Sequence, residues 1–147
     1  MDTKEFASAY KVRAKQDGCG DLIILGKRFA KDMPDRVEYH SHVFDYEDGE
    51  HFGVCLMFAP SGDGTSGKSA KWTYAKQKLM AAGFTIRQDG DAEGIGLFDP
   101  ANQAQARLAL RLAEVKTRRP LSPEKAEALA ARLQAARAAK QAQPVVD

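Results

Sequence analysis

The sequence predicts an α+β fold: an antiparallel sheet of about five strands packed with helices, followed by a C-terminal αα-hairpin. Two pairs of β-rich runs are each separated by a turn signal, Asp48-Gly49 in the first and "DGDAEG" at 89–94 in the second. Apolar residues at helical spacing precede, separate and follow these pairs. The resulting order α-β-β-β-α-β-β-α-α groups its strands instead of alternating them with helices, which points to antiparallel pairing.

Each element has its own local reason. In "TKEFASAYKVRAKQ", Phe6, Tyr10 and Arg13 fall at helical spacing and Asp17-Gly18 follows, so a short helix is expected there. "DLIILGK" at 21–27 reads as an apolar strand, and the stretch through Pro34 as a loop. If Asp48-Gly49 is a two-residue type I′ turn, Phe44 faces Gly53 and His42 faces Cys55. Phe52, Val54, Leu56 and Phe58 then share a core face with Val37, Tyr39 and Val43. His40, His42, Phe44, Tyr46, His51, Cys55 and Met57 take the other face.

A helix is expected from Ser69 to Ala82, with Gly83 just past its end. A second hairpin follows. Asp99-Pro100 is expected to open the next helix, as cap and first residue, with Leu108, Leu112 and Val115 buried. "TRRPL" breaks the pattern. Ser122 and Pro123 start it again, with an apolar stripe of Ala126, Leu129, Ala130, Leu133 and Ala136. The expected organisation is an α+β sheet domain over 1–100, a basic helical hairpin over 101–141 packed on it, and a frayed tail at 142–147.

Composition narrows the function. The apolar runs are too short to span a bilayer, and "MDTKEFASAYK" has no apolar leader segment, so a cytoplasmic protein without membrane contact is expected. Cys19 and Cys55 are too few and too far apart for a disulfide framework. Charge is uneven: residues 1–100 hold 13 lysines and arginines against 16 acids, whereas 101–147 hold 9 against 4. That imbalance points to an anionic partner for the C-terminal third. No catalytic constellation and no cofactor are expected: "DGDAEG" lacks the acid at position twelve of a calcium loop, and no nucleophile stands beside a base.

"PSGDGTSGKSAKWTYAKQKL" at 60–79 carries the functional expectation and admits two chemistries. Gly62, Gly67, Lys68 and Ser69 fit the spacing of a loop that wraps phosphates in backbone N–H groups, with lysine on the outer phosphates and serine on Mg²⁺. The same stretch, through Gly64, Ser66, Lys68, Ala70, Lys71, Ala75 and Leu79, resembles the start of the last helix of double-stranded-RNA-binding domains. The resemblance spans residues 1–83. It implies an α-β-β-β-α unit whose last helix sets lysines on phosphates across a groove, with His51 similar to the family's minor-groove histidine. Gly67 stands where that family usually has a second lysine.

The expected function is therefore non-catalytic binding of a nucleic-acid duplex, RNA or DNA. Ser66, Lys68, Lys71, His51, Arg118 and Arg119 are the candidate contacts, with metal at none of them. The alternatives are nucleotide binding at Gly62, Gly67, Lys68 and Ser69, and a protein partner or homo-oligomer formed through 101–141. His40, His42 and Cys55 on one face leave a zinc-type ligand set open.

Overall fold

The computed structural model describes residues 1–29, 40–58, 69–117 and 122–142. It divides into two compact units, Met1–Thr117 and Arg118–Asp147. The first holds a six-stranded antiparallel sheet with three helices packed against one face, an α+β architecture as expected.

The sheet is ordered β1-β2-β3-β4-β6-β5, built from Lys15–Gln16, Leu22–Phe29, His40–Asp45, Phe52–Met57, Thr85–Asp89 and Glu93–Phe98 in chain order. The two hairpins are β3–β4 and β5–β6, and β6 lies beside β4. The β3–β4 register matches the expectation, with His42 opposite Cys55 and Phe44 opposite Gly53. The turn that sets it is different. Tyr46 N–H donates to the His51 carbonyl at 3.1 Å, leaving four residues in the loop, with Glu47 and Gly49 at positive φ. A two-residue and a four-residue loop leave the same residues on the same face, so the register survives the change.

α1 is Thr3–Ala9, α2 is Ala70–Ala81 and α3 is Gln103–Leu112. α1 begins with Asp2, whose carboxylate accepts the Glu5 N–H at 2.8 Å while Glu5 reaches back to the Asp2 N–H. It stops well short of the expected Gln16. Lys11 turns into the left-handed region at φ 55° and the chain reverses through Val12 N–H to the Ala7 carbonyl. The freed residues Lys15 and Gln16 become β1. α2 follows the expectation, from the Ser69 cap to Gly83 at φ 92°. α3 starts later than expected. Asp99 and Pro100 belong to a turn in which Asp99 accepts the Ala101 N–H, and Asn102 is the cap.

Phe6, Ile24, Val43, Val54, Leu56, Trp72, Leu79, Phe98 and Ala109 form the core between these helices and the sheet. A fully buried side chain of this size stabilises a fold by about 1.5–3 kcal/mol. Two glycines on β6 make room for α2. A Cβ on Gly94 would sit 2.0 Å from the Trp72 ring, and one on Gly96 3.2 Å from Leu79. Because Ala106, Leu108 and Ala109 are also buried in this core, the first unit runs past the boundary expected after residue 100 and ends at Thr117.

The second unit contains α4, Pro123–Gln141, capped by the Ser122 hydroxyl on the Lys125 N–H with Pro123 in the first turn. None of the residues of α4 is buried; Leu129 and Leu133 are 45% and 51% exposed. Among the described residues, no helix is long and apolar enough to cross a membrane.

Candidate nucleic-acid interface

α2 is divided lengthwise. Trp72, Ala75 and Leu79 face the core, and Trp72 is only 2% exposed. Its indole N–H donates to Asp89 at 3.0 Å, while Lys76 donates to the other oxygen of the same carboxylate at 2.9 Å. Lys76 first, then Trp72, hold Asp89 below the usual carboxylate range. This tryptophan is therefore structural and offers no stacking surface. Beside the core-facing residues runs an exposed stripe of Lys71, Tyr74 and Lys78. Tyr74 is 59% exposed, and the Lys78 ammonium lies 4.6 Å from the centre of its ring. Seven residues of helix separate Lys71 from Lys78 by roughly 10 Å along the axis. On the same side of the sheet, α3 exposes Arg107 and Arg111.

The expected contacts do not all gather here. Gly62, Ser66, Gly67, Lys68, Arg118 and Arg119 lie outside the described residues. Lys71 sits in the first turn of α2, as expected for a phosphate contact. His51 lies elsewhere. It precedes β4, and α2 begins beyond the other end of that strand, so the six residues of β4 set the two apart by roughly 20 Å. It is engaged locally: the His51 ring is 2.6 Å from Asp48, which raises the histidine pKa and holds the Asp48 carboxyl down at about 2, with the Glu50 N–H the largest cause for Asp48.

Ser69 is buried, and its N–H and hydroxyl are both used within the fold. Its N–H donates to the Asp91 carbonyl at 2.8 Å, and its hydroxyl accepts the Trp72 N–H at 3.4 Å. A phosphate loop would need that hydroxyl for Mg²⁺ and a strand with parallel neighbours behind it. β4 has β3 and β6 on its two sides, both antiparallel.

The face of the sheet turned away from α1, α2 and α3 is a second region of interest, where the sequence places the histidine and cysteine side chains of β3 and β4. His42, Phe44, Cys55, Met57, Glu93 and Ile95 line a shallow recess of about 340 Å³. Burial pushes the His42 imidazole below its ordinary value and the Cys55 thiol up to about 12. Two neutral groups side by side do not make the thiolate–imidazolium pair that covalent catalysis requires. Among the described residues, no three His, Cys, Asp or Glu side chains group as a metal cage, so the zinc-type set of His40, His42 and Cys55 is not assembled.

No family model matches the chain, and neither a curated protein nor a solved structure matches it.

Proposed function

We propose that this chain is a non-catalytic nucleic-acid-binding protein that engages a duplex backbone with the outer face of α2. Lys71 and Lys78 contact phosphates, and Tyr74 lies between them. The observation that carries this reading is the division of α2: its apolar stripe and Trp72 are committed to the core, while an exposed stripe beside it presents two lysines around an exposed tyrosine. The order α1-β1-β2-β3-β4-α2, with both helices on one face of an antiparallel meander, lends further support, because apart from the two-residue β1 it is the α-β-β-β-α order that the resemblance to duplex-RNA-binding domains implies. The exposed Arg107 and Arg111 add positive charge on the same side.

The test is equilibrium binding of the full chain to matched RNA and DNA duplexes across a salt series. Tight, salt-dependent binding is expected. The double variant Lys71→Ala/Lys78→Ala should weaken it about equally for all sequences and lower the log–log salt slope by about two. An unchanged affinity and slope would remove α2 from the interface, and no binding at low salt would end the reading.

A second reading rests on α4, where Leu129 and Leu133 are exposed one turn apart on an alanine-rich helix. This pattern suits a partner helix. Truncation after Pro120 should then abolish self-association or partner capture in sedimentation while leaving duplex binding by α2 in place.

A further inference from the structure

We propose that His42, Cys55 and Met57 form a binding site for a soft monovalent metal ion, Cu(I), on the open face of the sheet. The register sets His42 directly opposite Cys55, and Met57 follows two residues later on the same strand, so the pleat turns all three side chains to one side. They line the same recess of about 340 Å³. Opposed residues of an antiparallel pair have Cβ atoms roughly 5 Å apart and diagonal ones roughly 7 Å. Side chains of these lengths span such gaps around one ion at the roughly 2.0–2.3 Å bonds that imidazole and thiolate form with metals.

The imidazole is already oriented. His42 Nδ1 lies 2.8 Å from the His40 carbonyl oxygen, which can only accept, so Nδ1 carries the proton and Nε2 holds the lone pair. A backbone carbonyl on the far nitrogen is the usual way a ligand histidine is held. Donor chemistry then selects the ion. Zinc takes nitrogen, thiolate and carboxylate, and no third such group closes on His42 and Cys55 among the described residues. The third donor here is a thioether, which together with a thiolate favours Cu(I).

Cys55 is buried in a recess that Phe44, Met57 and Ile95 line together with Gln88 and Glu93. On binding, the Cys55 S–H bond breaks, an S–Cu bond forms and one proton leaves to solvent. Copper stays in the +1 state and no electron moves. One positive charge replaces another, so the net charge of the recess is unchanged.

The experiment is an anaerobic titration of the purified full chain with Cu(I), supplied as its acetonitrile complex and kept reduced with ascorbate, in competition with a chromophoric Cu(I) chelator. One ion per chain, a near-ultraviolet thiolate-to-copper band and release of about one proton per ion are expected, the last because thiolate ligands must deprotonate. Cys55→Ser should abolish the band, and Cys19→Ser, which changes the exposed cysteine, should keep it. Met57→Leu conserves volume and should weaken binding by at least about tenfold, since even outer-shell partners of a metal are worth that much. It also reads the site if Cys55→Ser fails to fold. Binding that survives Cys55→Ser, falls with Cys19→Ser, is unchanged in Met57→Leu, or is displaced by equimolar Zn²⁺ would overturn the proposal, as would loss of the ion to the chelator at every ratio.

Discussion

Along β3 and β4, neighbouring residues serve opposite sides of one sheet. Val43, Val54 and Leu56 are fully buried under the helices, while His42, Phe44 and Met57 turn to the face away from α1, α2 and α3. Each face is fitted by glycine in a different way. On the covered face, Gly94 and Gly96 admit Trp72 and Leu79 from α2. On the open face, Gly53 leaves room for the Phe44 ring, which a Cβ would approach to 2.5 Å. The covered face draws partners from α1, α2 and α3, so its side chains contribute most of the fold's stability. On the open face His42, Phe44 and Met57 are part-exposed and Cys55 is buried.

The sharpest way to break this comparison is to truncate one residue on each face. Leu56→Ala should cost about 2–5 kcal/mol, the usual range for a buried leucine whose surroundings cannot collapse. Phe44→Ala removes a larger side chain but a partly exposed one, and should cost less. Urea unfolding of both variants reads the difference. If Phe44→Ala costs more than Leu56→Ala, the open face is part of the core.

A smaller effect tests the fit between sheet and helix. Gly94→Ala places a methyl group 2.0 Å from the Trp72 ring and 2.7 Å from the Gln88 carbonyl. It should destabilise by about 1–3 kcal/mol, as overpacking does. The tryptophan should move with it, so its fluorescence should shift to the red as the ring is pushed toward water. A neutral Gly94→Ala with unchanged emission would mean that α2 does not rest on β6.

Pattern and chemistry made much of this legible. Alternation along β3 and β4 shows both faces and even their register, because a period of two survives an error in the turn that joins them. α2 is bounded in the sequence by Ser69 and Gly83, the two residue types that end helices most often. The end of α1 is hidden for the opposite reason. All three helices of the first unit close with the same backbone reversal, Val12 to Ala7, Phe84 to Leu79 and Val115 to Leu110, but only α2 puts glycine at the left-handed position. Lys11 and Glu114 occupy it in α1 and α3, and neither residue type signals a stop. Nor does periodicity reveal that Trp72 answers to Asp89, a hydrogen bond between elements 17 residues apart. The helix ends yield a test of their own. Lys11→Gly and Glu114→Gly should each stabilise by up to about 1 kcal/mol in thermal unfolding, because glycine adopts that conformation without the Cβ penalty. A loss of stability in both would mean the side chains contribute more than the backbone conformation costs.

The smallest effect separates two histidines of the same hairpin that respond to acid in opposite directions. His42, on the open face, is pushed below its ordinary value of 6.5 by burial, so the unfolded chain takes up the proton first. Its neutral form contributes stability that is complete above about pH 6.5 and is lost as pH falls through the lower folded value. His51, in the turn, is raised above 6.5 by Asp48, so the folded chain protonates first. Its contribution is complete below about pH 6.5 and is lost as pH rises through the higher folded value. Between about pH 8 and pH 5, where histidines titrate, the two trends oppose each other in the parent protein. Relative to that parent, His42→Gln should gain stability as pH falls and His51→Gln should lose it. Salt distinguishes the causes. The His51–Asp48 pair is exposed to solvent and its effect should shrink at high ionic strength, whereas a desolvated imidazole is little affected by screening. If both variants track the parent across the whole range, neither histidine titrates differently on folding. If salt flattens the His42 dependence, charge rather than burial governs His42 on the open face.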